Sequence, residues 1–380
     1  MTSTESARPR RVRVGVWGAT GQLGAAVVAE IVAAGGEPVL LGRDLGRLHQ
    51  RFPTHPAGDV RVARIDDPDG LRAAVAGLDV LIACAGPYGR IGAVAAGAAL
   101  DAGVDYVDAC REPVFAREQY ERTDAAARRA GRRLVIGAGA DGALTDWAAA
   151  LAAGAVADAD GGGACDDDDP LDDLVVGWSD DPGGGGAADV ASRADALTAP
   201  TWVWHADRWD EARAGLGVRL GGRGPSLGFA FPLTVAITAP RHLSSRRVTG
   251  VVRGRGGGLG HRISQAAALA APLWRGGSPG WLGQLLGGGA AEAGSAGGDA
   301  GVELVRARAA RRSTVIEVTI RGGDRVALSA ATLIGVAHQL TADARHPGAG
   351  VLTAHEAWPA AQALAALSDR GALEVVIDRL

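Results

Sequence analysis

The 380-residue sequence contains no lysine, so all 39 of its basic side chains are arginine. That absence excludes a Schiff-base lysine, a phosphate-loop lysine and a Tyr-xxx-Lys pair that would depress a phenol pKa. Cysteine is scarce too. Cys84, Cys110 and Cys165 show no CxxC or Cys/His spacing, which predicts no metal site and suits a reducing, cytoplasmic setting. No apolar run reaches the roughly eighteen residues a membrane helix needs, so no membrane span is expected. The net charge of −4 gives no electrostatic reason to expect nucleic acid or an anionic membrane as a partner. Residues 1–10 are polar, with no apolar stretch behind them, and are expected to form a disordered tail and not a signal peptide.

What is present is glycine, alanine and a regular alternation of short elements. The length exceeds that of one ordinary core, and two domains are expected. Residues 11–17 alternate valine with arginine or glycine, the period of a strand. The turn Gly18-Ala19-Thr20-Gly21-Gln22-Leu23-Gly24 follows, then a helix with Leu23, Val27 and Ile31 on one face and a Gly35-Gly36 stop. A second strand at 38–41 completes a βαβ unit. Further strands are predicted at 60–65, 79–83, 104–108 and 133–136, with helices at 71–78, 91–102 and 114–130. This order predicts a doubly wound parallel sheet over 11–150.

The glycine turn carries the first functional reading. A pyrophosphate can reach a helix N-terminus only where no Cβ intervenes. Gly18 permits the tight turn, Gly21 the close approach and Gly24 the packing of helix on strand. Thr20, Gln22 and Leu23 lie within the same turn, and its place between a patterned strand and a patterned helix makes the motif specific. At the end of the second strand stands Gly42, then Arg43 and Asp44. A small residue followed by a guanidinium suits a 2′-phosphate, so NADP is favoured, while Asp44 keeps NAD open. Arg47 is a second candidate phosphate partner, or a solvated helix residue. Asp66, Ala85, Gly86 and Pro87, at later strand ends, complete the expected cofactor set.

Beyond residue 146 the regularity weakens. Residues 147–156 read as helix, and 158–169, with its run Asp166 to Asp169, as an exposed loop or boundary. Strands are predicted at 174–178, 202–205, 247–253, 314–320 and 326–330, separated by glycine-rich breaks at 183–186, 256–258 and 287–300. The expectation is a mainly antiparallel α+β domain over 151–330. Helices follow at 331–343 and 359–368, packing back on the first domain, with a strand or helix at 373–377. Nine tryptophans stand against four phenylalanines and three tyrosines. Trp202, Trp204, Trp209, Trp274 and Trp281 could line a pocket for a bulky substrate, or supply core volume. His205, His242 and His261 share no metal spacing and read as ordinary hydrogen-bonded histidines.

The segments Gly18-Ala19-Thr20-Gly21, Gly42-Arg43-Asp44, Gly86-Pro87-Tyr88-Gly89, Tyr106-Val107-Asp108, residues 139–146 and residues 350–357 together resemble the saccharopine dehydrogenase-like oxidoreductases. The resemblance covers roughly the first 150 residues and a shorter stretch near the end. Departures occur at Gly142 and Leu144, and Arg111-Glu112 stands where the family has Gly-Glu. The resemblance implies a Rossmann domain, a second sheet-containing domain, and NAD(P)-dependent oxidoreduction of a small, specialised metabolite. Amino-acid-handling members place basic side chains on substrate carboxylates, and no lysine exists here to do so. Candidate catalytic groups at the strand ends are Tyr88, as proton donor or as packing over the cofactor, and Asp108 and Asp141, which with Glu112 could share a site or cap helices. Cys110 reads as a structural thiol. The expected activity is NADPH-dependent reduction of a C=N, C=C or C=O bond. The alternatives are a non-redox epimerase or cyclase holding the nucleotide, and a nucleotide-sensing Rossmann protein without turnover. A homodimer is the commonest assembly for such a chain.

Overall fold

A computed structural model describes residues 12–54, 60–161, 163, 165–180, 199–212, 217–220, 227–254, 301–342 and 348–380. The expected tail at 1–10, the glycine-rich breaks at 183–186, 256–258 and 287–300, and His261, Trp274 and Trp281 lie outside the described residues.

The first half alternates strand and helix as its periodicity predicts. In order come β1 (Val14–Trp17), α1 (Gln22–Ala33), β2 (Val39–Gly42), α2 (Leu45–Arg51), β3 (Val60–Val62), α3 (Pro68–Val75), β4 (Val80–Ala83), α4 (Tyr88–Asp101) and β5 (Asp105–Asp108). α5 (Pro113–Arg122), α6 (Asp124–Ala130), β6 (Arg133–Val135) and α7 (Ala140–Ala159) follow. Local chemistry sets the boundaries. Asp67 caps α3 through Gly70 N, with Pro68 opening the helix. The single helix expected at 114–130 is two helices, broken at Thr123. Asp124 opens the second of them and accepts a hydrogen bond from Val351 N at 2.9 Å, so the break serves a distant strand.

That strand is β15 (Gly350–Leu352), which lies parallel to β6 and extends the sheet to seven strands. Their order is β3-β2-β1-β4-β5-β6-β15, all parallel. The order reverses between β1 and β4, which opens a crevice at their carboxyl ends.

The second sheet is nine-stranded among the described residues. It comprises β7 (Asp173–Asp180), β8 (Thr201–His205), β9 (Arg208–Ala212), β10 (Gly217–Arg219), β11 (Leu227–Ala230), β12 (Arg247–Gly254), β13 (Val302–Arg311), β14 (Thr314–Gly322) and β16 (Leu373–Arg379). Only β7 and β12 pair in parallel. A short helix α8 (Val235–Thr238) and a 3-10 turn (Ala239–Arg241) join β11 to β12, and α9 (Arg325–Thr341), α10 (Ala354–Ala357) and α11 (Ala360–Asp369) complete the chain.

Three expectations change. Residues 326–330 are not a strand: Asp324 accepts from Val326 N and Ala327 N and starts α9 there. The last fifty residues add an unexpected strand, β15, to the first sheet, while 373–377 takes the strand alternative as part of β16 in the second. The acid run near 166–169 is not merely solvated, because Asp169 pairs with Arg311 and Arg312, and Asp160 also binds the buried Arg311.

Helix α7 is buried along almost its whole length between the two sheets, and the expected boundary at residue 150 falls inside it. Alanines at half of its positions let β7, β13 and β14 approach on one side while α9, α10 and α11 close the others. Trp147 crosses Trp358 edge-on at 5.5 Å and donates from Nε1 to the Trp358 carbonyl. Gly335 on α9 lies beneath the Trp358 ring, where a Cβ would come within 2.1 Å. Gly335→Ala is therefore expected to destabilise the protein by about 1–3 kcal/mol through overpacking, despite alanine's better helix propensity. Urea denaturation reads this as a lower midpoint, and an unchanged midpoint would show that the ring gives way freely.

Candidate active site

The crevice is built from two loops that touch. Gly18 has φ +81° and donates to Leu41 O at 2.9 Å, and a Cβ on it would meet Ala85 at 3.0 Å. Gly21 N closes the turn onto Gly18 O at 2.9 Å, and a Cβ on Gly24 would stand 2.2 Å from that oxygen. Glycine is thus required at 18 and 24 by contacts within the protein. The result is the α1 N-terminus held against the end of β1, with Gly21 and Gln22 exposed, Thr20 and Leu23 half-buried. No side chain caps α1, and no acid stands in its first turn. The N–H groups of its first turn and the positive helix end are the kind of feature that draws an anion.

Across the crevice α4 begins after the Ala85-Gly86-Pro87 loop, and it is closed. Tyr88 N donates to Glu112 Oε1 at 3.0 Å, and the buried Glu112 also accepts from Arg111 N through Oε2. Of the two roles weighed for Glu112, the structure shows the cap, though on α4 and not on its own helix.

At the far end of β2, Asp44 Oδ1 accepts from Arg47 N and caps α2. Arg43 and Arg47 are exposed, and among the described residues neither pairs with a carboxylate. Asp66 forms a two-point ion pair with Arg64 on the surface, which holds its carboxyl below the usual range.

The catalytic candidates do not converge. Tyr88 is buried, donates from its hydroxyl to Ala83 O at 2.8 Å and accepts from Ala109 N at 3.3 Å. Burial, and then the Asp108 charge, raise its pKa well above the ordinary phenol value. It braces the ends of β4 and β5, so the packing reading replaces that of proton donor. Asp108 is fully buried and accepts from Cys110 N at 3.0 Å and Gly137 N at 2.8 Å, tying β5 to the loop after β6. Burial pushes its carboxyl up to about 7. With no exposed surface it cannot touch a substrate. Cys110 is buried and its pKa is raised by burial, as a structural thiol requires. Asp141 alone reaches the mouth, where Arg111 Nε lies 2.7 Å from its Oδ2, the side chains being 22% and 17% exposed.

The tryptophans are packing residues where they are described. Trp202 and Trp209 flank the Arg117 guanidinium of α5, each at 4.9 Å, and Trp204 crosses Trp209 edge-on at 4.9 Å. They fasten the β8–β9 hairpin to α5 and, through Trp209 Nε1 and the Ala236 carbonyl, to α8.

A second cluster escaped the sequence. Asp146 is fully buried on α7, with Oδ1 2.9 Å from His242 Nε2 and Oδ2 accepting from His355 N at 2.8 Å. The two imidazoles stack at 4.6 Å, and His355 Nδ1 accepts from Ala360 N. Burial alone would raise Asp146, but His242 and these hydrogen bonds hold it down to about 2. Burial likewise works against the His242 cation, yet the Asp146 charge raises its pKa above 6.5, while burial lowers that of His355. Positions 146, 242 and 355 are too far apart for any spacing rule. The available signal was that Asp146 ends one of the segments that carry the family resemblance and His355 lies within another.

Comparison with known proteins agrees with this architecture. Residues 18–158 match the model of an NAD(P)H-binding family. Over 150 residues the chain is 31% identical to a protein of Mycobacterium tuberculosis, present in two strains and named as a trans-acting enoyl reductase. The match spans 37% of this chain and only 35% of that protein. Apo saccharopine dehydrogenase (L-Glu forming) from Saccharomyces cerevisiae superposes with a TM-score of 0.60 at 11% identity, covering 97% of this chain and 100% of that one. The chain has the saccharopine dehydrogenase fold. Its parallel sheet is an NAD(P)-binding Rossmann domain, as the resemblance of the glycine turn implied. No helix among the described residues is long and apolar enough to cross a membrane, and none of their His, Cys, Asp and Glu side chains form a metal-binding group.

The Asp146–His242 pair makes a pH prediction. Because the folded pKa of His242 is raised, its stabilisation is full below 6.5 and is lost as pH rises through the higher folded value. The difference in Tm between wild type and His242→Gln should therefore be largest near pH 6 and shrink toward pH 9, as the imidazole loses the charge that faces Asp146. A difference that stays constant across that interval in differential scanning calorimetry would contradict the assignment.

Proposed function

We propose that the protein is an NADPH-dependent reductase that delivers hydride to a polarised C=C, C=N or C=O bond of a small metabolite. The observation that carries this reading is the asymmetry of the crevice. The α4 N-terminus is neutralised by Glu112, while the α1 N-terminus is uncapped and bordered by glycine. A pyrophosphate bound at Gly18, Thr20, Gly21, Gln22, Leu23 and Gly24 satisfies those N–H groups, with Ala85, Gly86 and Pro87 along its other side. NADP is preferred over NAD because Arg43, which pairs with no carboxylate among the described residues, offers a guanidinium fork beside the small Gly42, while Asp44 commits an oxygen to the α2 cap. The nicotinamide, when bound, supplies the hydride. Since Tyr88 and Asp108 are sealed beneath the strand ends, the accompanying proton is assigned to solvent. The relative named as an enoyl reductase supports a reductive reaction.

In this reading the substrate is a small molecule, neither nucleic acid nor a membrane is a partner, and the assembly is a homodimer, the commonest closed symmetry. Three unbridged cysteines support the cytoplasm.

Isothermal calorimetry with NADPH and NADH tests the cofactor site. NADPH is expected to bind more tightly, and Arg43→Ala to weaken NADPH by about tenfold, or ~1.4 kcal/mol, while leaving NADH nearly unchanged. If neither nucleotide binds, the glycine turn serves packing alone and the reductase reading falls.

A further inference from the structure

Outside the crevice, two imidazoles stack against α7 in unlike surroundings. His242, just after the 3-10 turn, places Nε2 against Asp146, and its side chain is 7% exposed. His355 lies in α10, reaches Asp146 through its backbone N–H, and is half-buried. Its Nδ1 accepts from Ala360 N, the first amide of α11, at 3.2 Å. An acceptor at Nδ1 leaves the single ring proton on Nε2. A second proton could enter only at Nδ1, where it would face the Ala360 N–H and the positive end of α11. The His242 ring is stacked 4.6 Å away.

The charges that bear on this pair come from several elements. Burial opposes a proton on His242, Asp146 of α7 and Glu356 of α10 favour it, and Arg241 opposes it. Arg241 is itself engaged, lying over the Tyr120 ring of α5 at 4.1 Å and 3.7 Å from Glu356 Oε2. For His355, burial and then the His242 charge oppose a proton, and Asp146 favours it. On α9, which also packs against α10, Arg325 stacks on Trp178 and His338 is exposed. We propose that the His242–His355 stack is an acid-sensitive latch, which holds residues 353–360 on α7 while one imidazole is protonated and loosens them when both are. Within that segment His355 N is bonded to Asp146, Ala357 N and Trp358 N to the carbonyls of Thr353 and Ala354, and Ala360 N to His355. A cation at 355 removes the last of these bonds and sets two like charges face to face. The two histidines therefore respond oppositely to acid. Stabilisation by the charged His242 is gained as pH falls through its raised folded value. That of the neutral His355 is full above 6.5 and is lost as pH falls through its lowered folded value. The latch involves no residue of the nucleotide crevice.

Hydrogen–deuterium exchange of the full chain tests the latch, read by mass spectrometry from about pH 7.5 to about pH 5 and corrected for intrinsic exchange rates. Protection of residues 353–360 is expected to fall by up to about tenfold per pH unit below 6.5, since opening takes up one proton, while that of β1 and β2 holds. His355→Asn, which keeps an acceptor for Ala360 N and cannot be protonated, is expected to abolish the fall. Far-UV circular dichroism reports whether this variant folds. If it does not, the wild-type profile decides together with proton NMR of the two imidazoles, which are expected to titrate on opposite sides of 6.5. Protection of 353–360 that stays flat across the interval overturns the latch. So does a fall shared equally by β1 and β2, or one that persists in His355→Asn.

Discussion

The structure depends on one helix that has almost no outside. α7 starts at the carboxyl end of β6, where a Cβ on Gly142 would strike Gly137 O at 2.1 Å, and runs between the two sheets with its apolar side chains enclosed. A helical stretch buried on all sides, as 142–149 is, leaves no route to water for a charge within it. Asp146 occupies that position. It remains ionised because His242, from the end of the β11–β12 connection, and the backbone of His355, which follows β15, both meet it there. The same buried carboxylate thus pins three chain segments to one point. Among the described residues every partner printed for this carboxylate belongs to the fold's own connections.

The placement of function follows from a second asymmetry. Both helices bordering the crevice present positive ends, and an anion could in principle be drawn to either. Glu112 satisfies α4 from the loop after β5, whereas α1 has glycine at its N-cap and no acid in its first turn. Buried braces hold this arrangement in place. Tyr88 joins β4 to β5, and Asp108 joins β5 to the loop after β6. These residues act on the loops and not on a ligand, which explains why strongly shifted pKa values occur beside the crevice on groups with no access to it.

Much of the first sheet could be read in advance, since each strand–turn–helix step carries its own periodicity and its own cap. The glycine turn was legible for the same reason: Gly21 and Gly24 both answer to the Gly18 carbonyl within the turn, although Gly18 itself also answers to Leu41 and Ala85. β13 was not foreseen, because arginine and alanine in Val302–Arg311 lack the β-branched character of an obvious strand, and its stability comes from pairing with β7 and β14. β15 is only three residues long and exists because β6 and Asp124 receive it. Residues 326–330 show the opposite failure, where the Asp324 cap outweighs a strand-like composition.

The sequence by itself determined the Rossmann unit, its glycine turn, the guanidinium after β2 and the lack of any lysine chemistry, because these depend on local spacing and composition. Only the tertiary structure decided that Tyr88 and Asp108 are braces, that Glu112 caps a helix other than its own, that Asp141 pairs with Arg111, and that His242 meets Asp146. Each of those outcomes turns on burial and on partners distant in the chain, and the charge state and role of a side chain follow from its surroundings more than from its neighbours in sequence.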